Sequence, residues 1–310
     1  MPDAREISVA RDAYERAFAC LRTRVVRWDG PVCALKRGDE KFTLDTGLFA
    51  GELEKRPSAY RPETLALLLA DTLGLPADEG LVLSDIVNAL PLLRPRFVRS
   101  SVLEGPGRAL VRREVGPDLL LGISLGRRTM RNFVTTRILD AWGMTFDEML
   151  DTATEELLRR FTIEDIRPLE SDPRVLAVTH PREPAASLAL GIDRMVDGLD
   201  EWPGALLGKP SEDTLLLVPL DDASTIKDLG AIIESTYRLA NEHTQPLSPY
   251  PCWLFEGSLH TLGLRMEEAA GGGRRATVET NHPHVAHLLR VLSGEDTGGP
   301  PPADDPGPFG

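Results

Sequence analysis

Apolar positions along this chain follow two rhythms, and together they divide it into helices and hairpins. Residues 4–22 repeat at helical spacing. VCALK (32–36) and KFTLD (41–45) alternate with period two around Arg37-Gly38-Asp39-Glu40. That pattern predicts a β-hairpin whose glycine supplies a positive φ. The Arg-Gly-Asp tripeptide resembles an adhesion motif but is read as turn chemistry. Pro62 opens a helix that Gly74 closes, with Leu65, Leu68, Leu69 and Leu73 on one side. A short helix follows near 83–93. RALVRR (108–113) and LLLGISL (119–125) flank EVGPD, which predicts a second antiparallel hairpin.

Thr145 with Glu148 forms a capping box, so a helix starts there. Phe146, Met149, Leu150, Ala153 and Leu157 are its apolar stripe. Beyond it the pattern predicts a strand at RVLAV (174–178), a helix near 188–199 and a strand at LLLV (215–218). A helix over about 225–241 then turns Ile226, Leu229, Ile233, Tyr237 and Ala240 inward. CWLF (252–255) and SLHTLGL (258–264) make a last hairpin. Hairpins outnumber βαβ alternations. The expected fold is therefore α+β, antiparallel β-hairpins packed with amphipathic helices. The expected organisation is a helical region with a small hairpin (1–95), an α+β domain (96–293) and an acidic Pro/Gly-rich tail (294–310). The tail has too little apolar surface to offset the entropy of ordering.

The order of these segments is similar to that of the YtpQ-like proteins, a bacterial family built on a domain of unknown function. The segments that carry the resemblance are FTLDTGLFAGELEKR, ALPLLRPRFVRS, Trp142-Gly143, TFDEMLDTATEELL, TLLLVPLDDA and PLSPYPCWLFEGSL. They spread over residues 10–265, and the chain departs from the pattern after about 270. The resemblance implies a cytosolic, soluble protein and brings no activity with it.

Charge changes the picture more than composition does. The 310 residues are 42% hydrophobic and 27% charged, enough apolar material for a core. The net charge of −13 disfavours nonspecific binding to nucleic acid or an anionic membrane. No apolar run long enough to span a bilayer occurs, and the first twenty residues lack a signal-peptide core. Cys20, Cys33 and Cys252 are few and far apart, as in a reducing cytosol. Against this background residues 94–137 hold ten arginines and three acids. Forked guanidinium groups bind phosphate and carboxylate bidentately. Arg94, Arg96, Arg127, Arg128 and Arg131 are the candidate anion ligands; the competing reading pairs them with the chain's own acids.

Other chemistry has thinner support. Gly122-Ile123-Ser124-Leu125-Gly126 matches the nucleophile elbow G-x-S-x-G, with His180, His243 and His260 downstream. Yet no oxyanion segment precedes it and two arginines follow it. His284 and His287 sit at i, i+3, where imidazoles can hold a transition metal, but no accompanying Cys or acid spacing completes a site. Asp193, Asp197, Asp221 and Asp222 read as caps and turn acids more than as catalytic groups. Trp142, Trp202 and Trp253 read as core anchors. No cofactor motif is present. The expectation is a non-catalytic binding or regulatory module with an Arg-rich anion-binding surface and a protein or small anionic partner. The alternatives are a serine hydrolase using Ser124 and an interaction module contacting partners through its acidic surface.

Overall fold

The computed structural model describes residues 4–49, 62, 65, 66, 69, 86–103, 110–116, 118–126, 133–181, 183–196, 199, 204–220, 228–255, 257–268, 274–278 and 283–292. The fold is α+β, as the hairpin-rich pattern predicts. It forms two compact units: residues 1–94, 108–111 and 123–156 in one, and 95–107, 112–122 and 157–310 in the other. The chain thus passes between the units more than once, whereas the sequence alone suggests one boundary near 95. The segment 294–310 lies outside the described residues.

The first unit begins with helix α1 (Ala4–Cys20) and three antiparallel strands, β1 (Arg24–Asp29), β2 (Val32–Arg37) and β3 (Glu40–Asp45), in that spatial order. The predicted hairpin is β2–β3, and Gly38 at its turn has φ of 59°. Ala13, Tyr14, Ala17 and Phe18 recur on one face of α1 and, with Leu21 just after it, share a core with Cys33, Leu35 and Leu44 from β2 and β3. Leu65, Ala66 and Leu69, of the predicted leucine-rich helix, are in the same core. Burial pushes the Cys33 thiol up to about 11. Helices α2 (Ile86–Ala89), α3 (Thr136–Trp142) and α4 (Phe146–Leu158) follow. The α4 capping box is present: Thr145 N–H donates to Glu148 Oε2 at 2.8 Å, and Glu148 N–H to Thr145 Oγ1 at 3.2 Å. The Thr145 amide, then its hydroxyl, hold the Glu148 carboxyl below its usual range.

A further sheet has the order β4 (Leu93–Arg99), β6 (Leu119–Leu125), β5 (Arg112–Gly116). The predicted hairpin is β5–β6, but its first arm is shifted: β5 shares only Arg112 and Arg113 with RALVRR and takes in Glu114, Val115 and Gly116 of the expected turn. The second unit is built on six antiparallel strands in the order β12 (Ser258–Thr261), β11 (Cys252–Phe255), β9 (Ala205–Ser211), β10 (Thr214–Pro219), β8 (Asp172–Thr179), β7 (Arg167–Leu169). Helix α5 (Asp228–Glu242) packs on β8, β9 and β10. A two-stranded ribbon, β13 (Leu264–Glu268) with β14 (Arg274–Val278), and helix α6 (Pro283–Leu292) complete it. Leu206, Leu216, Ile232, Trp253, Val285 and Leu288 share its core.

Two elements differ from the sequence reading. Residues 188–199 do not form one α-helix. Two 3-10 turns, Ala185–Leu190 and Ile192–Arg194, are separated by Gly191, whose φ of −166° is extended. The buried face of α5 is also broader than the apolar stripe alone. Of the residues read as inward, Ile233 and Ala240 are buried, Leu229 and Tyr237 are half-buried and Ile226 lies outside the described residues, while Ala231, Ile232, Ser235 and Thr236 are buried as well. The cause is opposite: a Cβ added to Gly208 on β9 would collide with Thr236 Oγ1, so small residues let helix and strand close up.

Candidate functional site

The arginine segment does not present its first two members to solvent. Every residue of β4 from Leu93 to Val98 is buried, with Arg94 0% and Arg96 2% exposed. A buried guanidinium requires acceptors, and the protein supplies several, although Arg94 Nη2 makes no hydrogen bond. Arg94 Nη1 donates to the carbonyls of Pro91 at 2.9 Å and Leu93 at 2.7 Å. Arg96 Nη1 donates to Glu212 Oε1, an ion pair spanning 116 residues of sequence. Arg94 and Arg96 are therefore internal ties and not part of an anion-binding surface. Arg99, Arg112, Arg113 and Arg137 are exposed. Arg127, Arg128 and Arg131 lie outside the described residues, as does Arg108.

Ser124 is wholly buried in the body of β6 and bridges antiparallel to Phe133. A nucleophile elbow instead exposes its serine on a sharp strand-to-helix turn. Here the G-x-S-x-G match falls on one arm of an antiparallel pair, with Gly126 at φ of 97° after it. His284 and His287 do share the inner face of α6, 1% and 3% exposed. His284 Nδ1 lies 2.9 Å from the Thr261 carbonyl, and the His287 ring lies 5.7 Å from Trp253, tilted by 44°. Both imidazoles are packed into the core against aromatic rings. No group of three or more His, Cys, Asp or Glu poised to hold a metal occurs among the described residues. Asp193 is half-buried beside a 3-10 turn; Asp197, Asp221 and Asp222 lie outside the described residues.

The exposed cations that do gather are on the small N-terminal sheet. Arg24 on β1 lies directly opposite Lys36 on β2, and Lys36 directly opposite Lys41 on β3. All three are exposed, and directly paired residues share one face of a sheet. Three like charges thus stand in a row across three strands, roughly 5 Å apart per step. Like charges placed directly opposite destabilise a sheet. No ion pair offsets them: Arg24, Arg27, Lys36 and Lys41 have no acidic partner among the described residues.

The row opens at its β1 end into a groove of about 450 Å³ between α1 and β1, lined by Arg24, Val25, Val26, Arg27, Trp28 and Glu15 among others. A bulge between Val25 and Arg27 turns Val26 out to 61% exposure. The indole of Trp28 is fixed on three sides. Its Nε1–H donates to Glu15 Oε1 at 3.0 Å. Arg11 covers its ring at 5.4 Å, and Tyr14 meets it edge-on at 6.3 Å. Trp28 pairs with buried Cys33 and so belongs to the core face of the sheet, while the row stands on the other face; in the groove the indole is flanked by Arg24 and Arg27. Sequence reasoning misses the row because RTRVVRWD and KRGDEK are separate short runs; only strand register brings Arg24, Lys36 and Lys41 into line.

No family model, curated protein or solved structure matches this chain. No helix among the described residues is long and apolar enough to cross a membrane.

Proposed function

We propose that this protein is a non-catalytic binding module of the bacterial cytoplasm that captures an acidic peptide segment on the outer face of β1–β2–β3. The observation that carries the reading is the Arg24–Lys36–Lys41 row, an arrangement that costs the sheet stability and has no acidic partner among the described residues. Such a local cost is expected where a ligand supplies the missing charge. A peptide is favoured over nucleic acid for two reasons. The whole-chain charge of −13 repels a long polyanion. The groove at the β1 edge also sets exposed Val26 and the held indole of Trp28 beside Arg24 and Arg27, which suits an acidic segment whose apolar anchor turns over that edge. The bulge in β1 interrupts a regular edge, so side chains and not strand addition make the contact. The resemblance to the YtpQ-like family belongs to the same proposal and adds no activity to it.

Fluorescence anisotropy with a labelled peptide of alternating Glu and Leu tests this. Binding at low salt that is lost in Lys36→Glu supports the reading. Absence of binding, or equal binding by Lys36→Glu, overturns it. Tighter binding of inorganic polyphosphate than of the peptide replaces the peptide with a phosphate ligand.

A further inference from the structure

A second chemistry is built into the six-stranded sheet. On β11, Cys252 lies directly opposite Leu207 of β9. Lys209 is two residues beyond Leu207 and on the same face, which makes it a diagonal cross-strand neighbour of Cys252. Lys209 Nζ is 2.9 Å from Cys252 Sγ. That separation lies among ordinary N–H···O distances although sulfur is the larger atom. Both side chains are buried, Lys209 4% and Cys252 6% exposed. A buried amine usually comes with a carboxylate. Lys209 has none among the described residues; its other neighbour is the face of Phe97, 5.0 Å from Nζ. Cys252 is a free thiol. The amine and the thiol are thus confined against each other in a pocket that offers neither a competing charge partner.

We propose that Lys209 and Cys252 are a redox-modification site, closing under peroxide into a reversible covalent Nζ–O–Sγ bridge that ties β9 to β11. A first hydrogen peroxide is attacked by sulfur. The O–O bond breaks, an S–O bond forms, water leaves, and Cys252 becomes a sulfenic acid. The sulfenic oxygen then joins Lys209 Nζ. One N–H hydrogen and the sulfenic hydrogen leave, and a second peroxide takes up both hydrogens and two electrons to give two waters. Sulfur and nitrogen have each lost two electrons, and two peroxides have each gained two. The product differs from the starting pair by one added oxygen and two lost hydrogens. Reduction by an excess of thiol breaks the bridge and returns amine and thiol. Sulfenic acids elsewhere condense with a second thiol or oxidise further; here the nearest nucleophile is an amine already in contact.

The full-length protein is treated with hydrogen peroxide, digested and mapped by mass spectrometry, with thermal unfolding followed in parallel. The expected result is a cross-linked species joining the Lys209 and Cys252 peptides with one oxygen gained and two hydrogens lost. Dithiothreitol removes it, and the unfolding midpoint is higher while the bridge is present. In Lys209→Arg the cross-link is absent and Cys252 proceeds to the sulfinic acid. Cys252 recovered in wild type as sulfinic acid, as a disulfide or as unreacted thiol, with no link to Lys209, overturns the proposal.

Discussion

Arg96 and Glu212 form one ion pair from unequal positions, since the guanidinium is 2% exposed and the carboxylate side chain 34%. Losing either partner is therefore expected to have different effects. Glu212→Ala takes its carboxylate from a buried cation and costs about 3 kcal/mol. Arg96→Met leaves an acid that water can reach and refills most of the volume, at about 1 kcal/mol. Urea midpoints at an unchanged m-value separate the two; equal costs would mean that the pair is solvated at both ends. Cys33 gives a second residue-level test. Its thiol is pushed up to about 11 by burial, so it stays protonated and unreactive at neutral pH. Iodoacetamide is expected to label half-buried Cys20 well before Cys33 in the native protein. The linkage has a definite sign. The folded-state thiol titrates above its ordinary 9.0, so its contribution to stability is complete below pH 9 and declines as pH rises towards 11.

Among the elements, the cationic row makes the most unusual forecast, a variant that gains stability as it loses function. Lys36→Glu replaces two cross-strand repulsions with two attractions, to Arg24 and to Lys41. It is expected to raise stability by roughly 0.5 kcal/mol while abolishing peptide binding. Gly208→Ala acts in the opposite direction. Its Cβ would meet Thr236 and the Cβ of Leu216, and separating α5 from β9 costs roughly 2 kcal/mol by thermal or urea unfolding. These elements also show what could be read from the sequence. The β2–β3 hairpin and the α4 cap were legible because their signals are local: a glycine at a positive φ and a threonine three residues before a glutamate. Strand β9 was not, because ALLGKPS carries Gly, Lys and Pro in a segment that proves fully buried. Its glycine and lysine are explained only by partners from other elements, Thr236 and Cys252. The internal role of Arg96 was hidden for the same reason, since the acid that pairs with it is 116 residues away in sequence. The cationic row depends on register, which no single segment encodes.

At the scale of the whole molecule, the net charge of −13 and the small basic face respond to salt in opposite ways. Added salt screens the self-repulsion of the acidic chain and the repulsion along Arg24, Lys36 and Lys41, so the folded state gains stability. The same screening weakens an acidic peptide's attraction to that face, because exposed charges lose their hold beyond a Debye length of about 10 Å at 0.1 M. Stability and affinity are therefore expected to diverge as salt rises from low to physiological concentration. Urea midpoints and peptide anisotropy on one set of samples measure both. Lys36→Gln distinguishes their sources. It removes a cation from the middle of the row but leaves the acidic remainder untouched, so the salt dependence of affinity flattens while most of the salt dependence of stability persists. If both dependences stayed as in wild type, Lys36 would be a bystander, and the charge that draws the peptide would have to lie elsewhere on the surface.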